Sequence, residues 1–384
     1  MIPYGRQQID AADIAAVVDT LQSDFLTQGP KVPAFEQAVA HSCQARYAVA
    51  MNSATSALHL ACLALAVGPG DRVWTSPISF VASANCALYC GADIDFVDVD
   101  PSTGLMDPAA LAVKLQRAAL NGTLPKVLIP VHLAGHSCDM QQIAALCQPY
   151  QIRIIEDASH AIGACYQNHP VGSCQYSDIT VFSFHPVKII TSAEGGMALC
   201  NDPALDRQLR SLRSHGITRD EADMTEPSHG PWYYQQTALG FNYRMTDLQA
   251  ALGLSQLDRL PQFIHQRIKA TGQYQQLLQD LPLHLPAPAV DGESAWHLYI
   301  VRLQQPAARL QVFQQLRAAG IGVNVHYIPI HTQPYYQQLG FRQGQFPCAE
   351  QYYSQIISLP LFAGISAAQQ QQVADALRQA LHGN

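Results

Sequence analysis

Apolar residues along the chain recur every three or four positions in some stretches and form short unbroken runs in others, and this alternation specifies a fold class. Helical spacing predicts helices over residues 10–23, where Ile14, Val17, Val18 and Leu21 share one face, and over 32–42. Strand-like runs fall at 47–51, 71–75, 94–99, 126–132 and 152–157, separated by helical segments at 58–67, 79–89, 108–120 and 140–148. Another strand runs into Phe182-Ser183-Phe184, and one covers 197–200. A helix over 203–215 then precedes a polar, aromatic stretch, 217–237, that reads as a long surface loop. Near-continuous apolar strands separated by helices fit a mostly parallel sheet buried on both faces. The expected class is α/β, with ligands at the carboxyl ends of the strands.

After a helix at 246–257, a longer one begins near 257–263 and marks a boundary. A large domain is expected over 1–256 and a smaller α+β domain over 257–384. The second contains a strand at 295–303, a helix at 307–319, the segment 323–331, a strand at 356–359 and a closing helix at 367–381. A length of 384 residues accommodates both at the usual domain size.

Composition narrows the function. Hydrophobic residues make up 48% and charged ones 13%, as in a compact globular protein with surface to bury in an oligomer. A formal net charge of −7 and a pI near 6.1 argue against nucleic acid or an anionic membrane as partners, so an anionic ligand needs local donors. Ten cysteines without a Cys-x-x-Cys pair, and no leader-like apolar segment, predict a cytoplasmic protein. Cys86 with Cys90, and Cys165 with Cys174, read as small buried side chains. His132 and His136 stand four apart but follow a strand into a loop, so His132 reads as packed or cleft-lining rather than as a metal ligand.

Candidate chemistry sits where strands end. Asn52-Ser53-Ala54-Thr55-Ser56-Ala57-Leu58 is small and hydroxyl-rich at a helix start, where free backbone N–H groups favour phosphate. Asp157 ends a strand, Phe80 offers a flat apolar face, Ser183 a hydroxyl, and Lys188 an amine in a turn closed by Gly195-Gly196. Phosphate anchor, ring stack, carboxylate and lysine are the provisions that pyridoxal 5'-phosphate (PLP) requires. No Gly-x-Gly-x-x-Gly supports a dinucleotide instead.

These motifs also carry a resemblance. Thr27-Gln28-Gly29-Pro30, the 52–58 stretch, Glu156-Asp157-Ala158-Ser159-His160, Phe182-Ser183-Phe184 with Lys188, Glu194-Gly195-Gly196 and Asn242-Tyr243-Arg244 resemble the DegT-type aminotransferases of nucleotide sugars. That family is a branch of the fold-type I, aspartate-aminotransferase-like PLP enzymes, and the similarity runs from about Ile2 to the last helix. It implies a large domain with a mostly parallel seven-stranded sheet and a smaller α+β C-terminal domain. It further implies that Lys188 is the Schiff-base lysine, that Asp157 pairs with the ring nitrogen and that His160 lies near the ring's phenolic oxygen. Ala54 and Thr55 amides with the Ser183 hydroxyl would hold the phosphate. Asn242 would reach it from a partner subunit, making a homodimer with shared active sites. Tyr4, Asp24, Phe25, Leu26, Thr27, His326, Tyr327, Ile328 and Pro329 would line the sugar-nucleotide site. In the turn after the lysine, Ile189-Ile190-Thr191-Ser192-Ala193 departs from the family's usual pattern.

Ile2-Pro3-Tyr4-Gly5-Arg6, the stretches 23–27 and 76–80, and Phe184-His185-Pro186-Val187-Lys188 are most similar to the pseudaminic-acid branch. That branch implies L-glutamate as donor, leaving 2-oxoglutarate. The acceptor would be UDP-2-acetamido-2,6-dideoxy-β-L-arabino-hexos-4-ulose, and the product UDP-4-amino-4,6-dideoxy-N-acetyl-β-L-altrosamine. A different keto-sugar is the alternative. A family dehydratase carries histidine in place of the lysine, and Lys188 counts against it.

Overall fold

The computed structural model describes residues 1–289 and 291–382. Its centre is a seven-stranded sheet of β1 (Tyr47–Met51), β2 (Arg72–Thr75), β3 (Asp93–Phe96), β4 (Val127–Ile129), β5 (Arg153–Asp157), β6 (Ile179–Ser183) and β7 (Gly196–Cys200), in the order β1-β7-β6-β5-β4-β2-β3. Strands β3, β2, β4, β5 and β6 pair in parallel; β7 runs antiparallel to both β6 and β1. Alternate side chains enter different cores. Val181, Ala198 and Cys200 pack on one side with Leu58 and Leu60, whereas Phe182, Met197 and Leu199 pack on the other with Phe35 and Val39. Burial on both faces explains the unbroken apolar runs of these strands.

Helices α1 (Ala11–Leu21), α2 (Lys31–Cys43), α3 (Ala54–Ala64), α4 (Ala82–Tyr89), α5 (Pro108–Asn121), α6 (Met140–Cys147), α7 (Pro203–Arg213) and α8 (Asp247–Asp258) surround the sheet. α3 starts at Ala54, four residues before the expected position, because the Ser53 side chain accepts from Ser56 N and caps it. α1 inverts expectation: Ile14 is 59% and Leu21 55% exposed, whereas Asp13 and Thr20 are buried. Asp13 closes a capping box with Asp10, accepts from Ser255 Oγ (2.7 Å) and Gln256 Nε2 (2.6 Å), and pairs with Arg259. A polar anchor, rather than the apolar stripe, therefore turns α1 onto α8. The 217–237 loop holds a small hairpin between Ile217–Thr218 and Gln235–Gln236.

After α8 comes α9 (Leu260–Leu278), and then an antiparallel sheet of β8 (Leu283–His284), β9 (Tyr299–Leu303) and β10 (Ile356–Leu359). It packs with α9, α10 (Arg309–Ala318) and α13 (Ala367–His382); α11 (Pro334–Gln338) and α12 (Pro347–Gln355) connect them. The N-terminal segment joins this unit, since Ile2 bridges Ile321 and Leu361 N donates to Tyr4 O at 2.9 Å. Tyr4 is thereby placed at the junction. Among the described residues no helix is long and apolar enough to cross a membrane.

Candidate active site

A cleft of about 590 Å³ opens where β5 and β6 end and the two units meet. Sheet register builds its anion end. Gly196 pairs with Met51 on one side and Ser183 on the other, which brings the start of α3 level with the Ser183 hydroxyl. A Cβ on Gly196 would lie 2.4 Å from Ala54 N, so only glycine permits this approach. The Ala54 and Thr55 amides head α3, whose dipole favours negative charge there. The Ser183 side chain lines the same end and makes no hydrogen bond among the described residues.

Asp157, 4% exposed, closes β5 at the cleft floor. Its Oδ2 accepts from Ser83 Oγ at 2.6 Å, and Oδ1 accepts from Ser159 N at 3.2 Å and Ser159 Oγ at 2.6 Å. Ser83 is 2.6 Å from Ser79 Oγ, so a serine relay from α4 holds one edge of the carboxylate. Sequence reasoning missed this relay, although Ser79 and Ser83 stand one helical turn apart in a segment expected to be helical.

Lys188 lies half-buried across the cleft, its backbone N donating to His185 O at 2.9 Å and its side-chain amine without a hydrogen-bond partner among the described residues. Burial pushes its ammonium down to about 8, with the Asp157 charge pulling the other way. His160 is buried, and its Nδ1 accepts from Ala134 N at 3.2 Å. That bond leaves the proton on Nε2, which donates to Tyr327 Oη at 3.1 Å. Burial, and then Lys188 and His326, hold His160 neutral. Phe80 is 59% exposed, with its ring 6.4 Å from that of Tyr327, and offers a free aromatic face. Tyr4 packs on His326, whose Nδ1 lies 2.8 Å from Ser358 Oγ.

The cleft thus brings together Tyr4, Ala54, Thr55, Phe80, Asp157, His160, Ser183, Lys188, His326 and Tyr327. Asp24, Phe25, Leu26, Thr27, Asn242, Ile328 and Pro329 lie outside this chain's lining. Asn242 is exposed and bridges Ser214; the 24–27 turn docks on the start of α8, with Asp247 N donating to Leu26 O at 3.0 Å and Phe25 and Leu26 exposed. Glu194 lines the cleft, and it is its backbone oxygen, not its carboxylate, that accepts from Ser192 Oγ and Gln249 Nε2. His132 is buried against Glu156 at 2.7 Å.

The arrangement fits PLP. Free amides and a hydroxyl converge at a helix N-terminus, an aromatic face stands open, and an unpartnered lysine amine faces a buried carboxylate held by three donors.

Four histidines of this junction have depressed proton affinities through burial: His136 and His326 go down to about 4, and His160 and His297 go well below the usual value. On unfolding each recovers an ordinary value near 6.5, so below that pH the unfolded chain binds more protons. The contribution of these four is full above pH 6.5 and falls as the pH drops toward 4, on the order of 1 kcal/mol per pH unit for each group, whereas buried His132, raised to about 10 beside Cys138 and Glu156, contributes with the opposite sign above pH 6.5. The urea midpoint is expected to be clearly lower at pH 5 than at pH 7.5. Equal midpoints would contradict the neutral-histidine assignment.

Comparison with known proteins agrees with this geometry. The model of the DegT/DnrJ/EryC1/StrS aminotransferase family matches residues 7–378. The spore coat polysaccharide biosynthesis protein SpsC of Bacillus subtilis is 39% identical over 388 residues, covering 100% of this chain and 97% of that protein. Helicobacter pylori PseC, an aminotransferase involved in the biosynthesis of pseudoaminic acid, superposes with a TM-score of 0.90 at 31% identity, covering 100% of both chains. Spr1654 of Streptococcus pneumoniae in its PLP-form superposes with a TM-score of 0.90 at 31% identity, covering 100% of this chain and 99% of that one.

Proposed function

The chain belongs to the DegT/DnrJ/EryC1/StrS aminotransferase family, and from that premise we propose that it aminates a UDP-linked 4-keto-6-deoxy amino sugar, with L-glutamate as donor, in pseudaminic acid biosynthesis. The reaction would convert UDP-2-acetamido-2,6-dideoxy-β-L-arabino-hexos-4-ulose to UDP-4-amino-4,6-dideoxy-N-acetyl-β-L-altrosamine. The full-length likeness to PseC carries this choice of sugar. The higher identity to SpsC favours the second reading, a different keto-sugar destined for a surface polysaccharide.

Bound PLP supplies an electron sink for the carbon that loses its proton. The Ala54 and Thr55 amides and Ser183 Oγ hold its phosphate, Phe80 covers the ring, and Asp157 keeps the ring nitrogen protonated. Lys188 Nζ, neutral above about pH 8, takes the α-proton of the donor and returns a proton to the sugar carbon. His160, with its Nε2–H donated to Tyr327 Oη, faces the ring's phenolic side. Tyr4, His326 and Tyr327 form the wall for the sugar nucleotide. Asn242, exposed and outside its own cleft, serves the site of a second copy, which makes the working unit a homodimer.

The test is an assay of the purified protein with glutamate and the two stereoisomeric UDP-4-keto-6-deoxy sugars. Amination of the L-configured sugar is expected. Turnover of the D-configured sugar alone would overturn the pathway and favour the second reading.

A further inference from the structure

His297 lies behind His160, outside the cleft's own lining. It is 4% exposed, and its ring centre lies 4.4 Å from that of His160, with the planes inclined by 44°. Its segment clamps the same turn that orients His160. Ala295 N donates to Gly135 O at 3.0 Å and Leu298 N to Ala134 O at 3.2 Å, while Ala134 N donates to His160 Nδ1 at 3.2 Å. Gly135 has φ +97, and a Cβ there would meet Trp296 N at 2.8 Å and His297 N at 2.9 Å, so the clamp closes only over glycine.

From behind, Arg267 of α9 fixes the segment. Its Nη1 donates to the carbonyls of Trp296 (3.1 Å), His297 (3.2 Å) and Leu361 (3.3 Å), and it has no carboxylate partner among the described residues. A buried guanidinium spent on three carbonyls makes this crossing a rigid point between the two units. His297 itself is not held through Nδ1, which is buried without a partner among the described residues. Its contact with His160 is ring against ring.

We propose that His297 is a positioning residue for transamination: its ring, fixed by Arg267 and the clamp, packs on His160 and holds that imidazole in place, with its Nε2–H on the Tyr327 hydroxyl at the cleft wall. Burial, His160, Lys188, Arg267 and His326 all disfavour a charge on His297, so the stack adds no cation beside Lys188. This role rests on the PLP reading above.

The test uses the PLP-loaded enzyme and compares wild type, H297A, H297Q, H297F, H160A and the H160A/H297A double variant. Three quantities are read: kcat, the KM for glutamate, and the pH midpoint of the visible band of lysine-bound cofactor. H297A and H297Q are expected to move the midpoint and to lower kcat by about 10- to 100-fold, with KM within about 3-fold. H297F, which restores a ring, should recover most of both, and the double variant should be no worse than H160A. A full further loss in the double variant, or a wild-type midpoint and kcat in both H297A and H297Q, would overturn the proposal. A wild type that shows no visible band with PLP would overturn the cofactor reading instead, before any variant is compared.

Discussion

Replacing Lys188 with alanine is expected to abolish turnover and the visible absorbance of lysine-bound cofactor together, while leaving PLP able to dock noncovalently. The separation follows from how the site is divided. The phosphate cradle is built by the start of α3, β6 and Gly196, none of which depends on the lysine side chain. Loss of both the covalent link and the proton-transferring base should lower kcat by more than about ten-thousand-fold. Equilibrium dialysis should still detect PLP bound to K188A. The wild-type protein adds a second, sharper observable. An ordinary lysine is protonated until about pH 10.4, whereas burial brings Lys188 to about 8. Below that value the ammonium cannot attack a carbonyl; above it the free amine can. When PLP is added to cofactor-free protein, the rate at which the band appears should therefore rise with pH around a midpoint near 8. A midpoint near that of a solvated lysine, or a K188A variant that retains the band, would remove Lys188 from its role.

The alternation of apolar runs and helical spacing was enough to place the sheet, because strands buried on both faces leave no polar positions to obscure their length. The ends of those strands were legible for the same reason, since Asp157 and Ser183 close their strands and Lys188 lies in the turn just past the second. What escaped was set by tertiary partners. The stripe of Ile14, Val18 and Leu21 suggests an inward face, yet Asp13 turns α1 the other way through Arg259, Gln256 and Ser255, residues more than 240 positions distant. The four-residue error at the start of α3 was local, since a hydroxyl-rich run offers several possible caps and only the fold selects Ser53. His297 gave no sequence signal, because one histidine in an apolar strand approach has no spacing to any partner. Its meaning comes from Gly135 and Arg267, which approach it from separate elements. A site role for Asn242 and the 24–27 turn is implied by resemblance alone, and they lie outside the cleft of their own chain.

Asp157→Asn is expected to keep the fold and the cofactor while lowering kcat by about 100- to 1000-fold, the usual cost of removing one preorganised electrostatic contact to developing charge. Asparagine has the volume of aspartate, and its oxygen can still accept from Ser159 or Ser83, so the serine relay is only partly broken. What it lacks is the negative charge that would keep a ring nitrogen protonated. The same charge acts on Lys188, where Asp157 partly offsets the effect of burial and raises the amine's proton affinity. Removing it takes away the charge that favours the ammonium, so the lysine should fall further, below about 8. The substitution thus has opposite effects on two measurements. Turnover becomes slower, and the pH midpoint for cofactor capture moves down. Loss of folding alone would reduce both amplitude and rate without moving that midpoint, and a solvated, distant Asp157 would move neither. Ser83→Ala should give a weaker version of the turnover effect, about 10-fold or less, because the carboxylate keeps its charge and the two bonds from Ser159 while losing one donor. A D157N enzyme with an unshifted midpoint would show that the carboxylate and the amine do not share one electrostatic site, and the assignment of Asp157 to the ring nitrogen would fall with it.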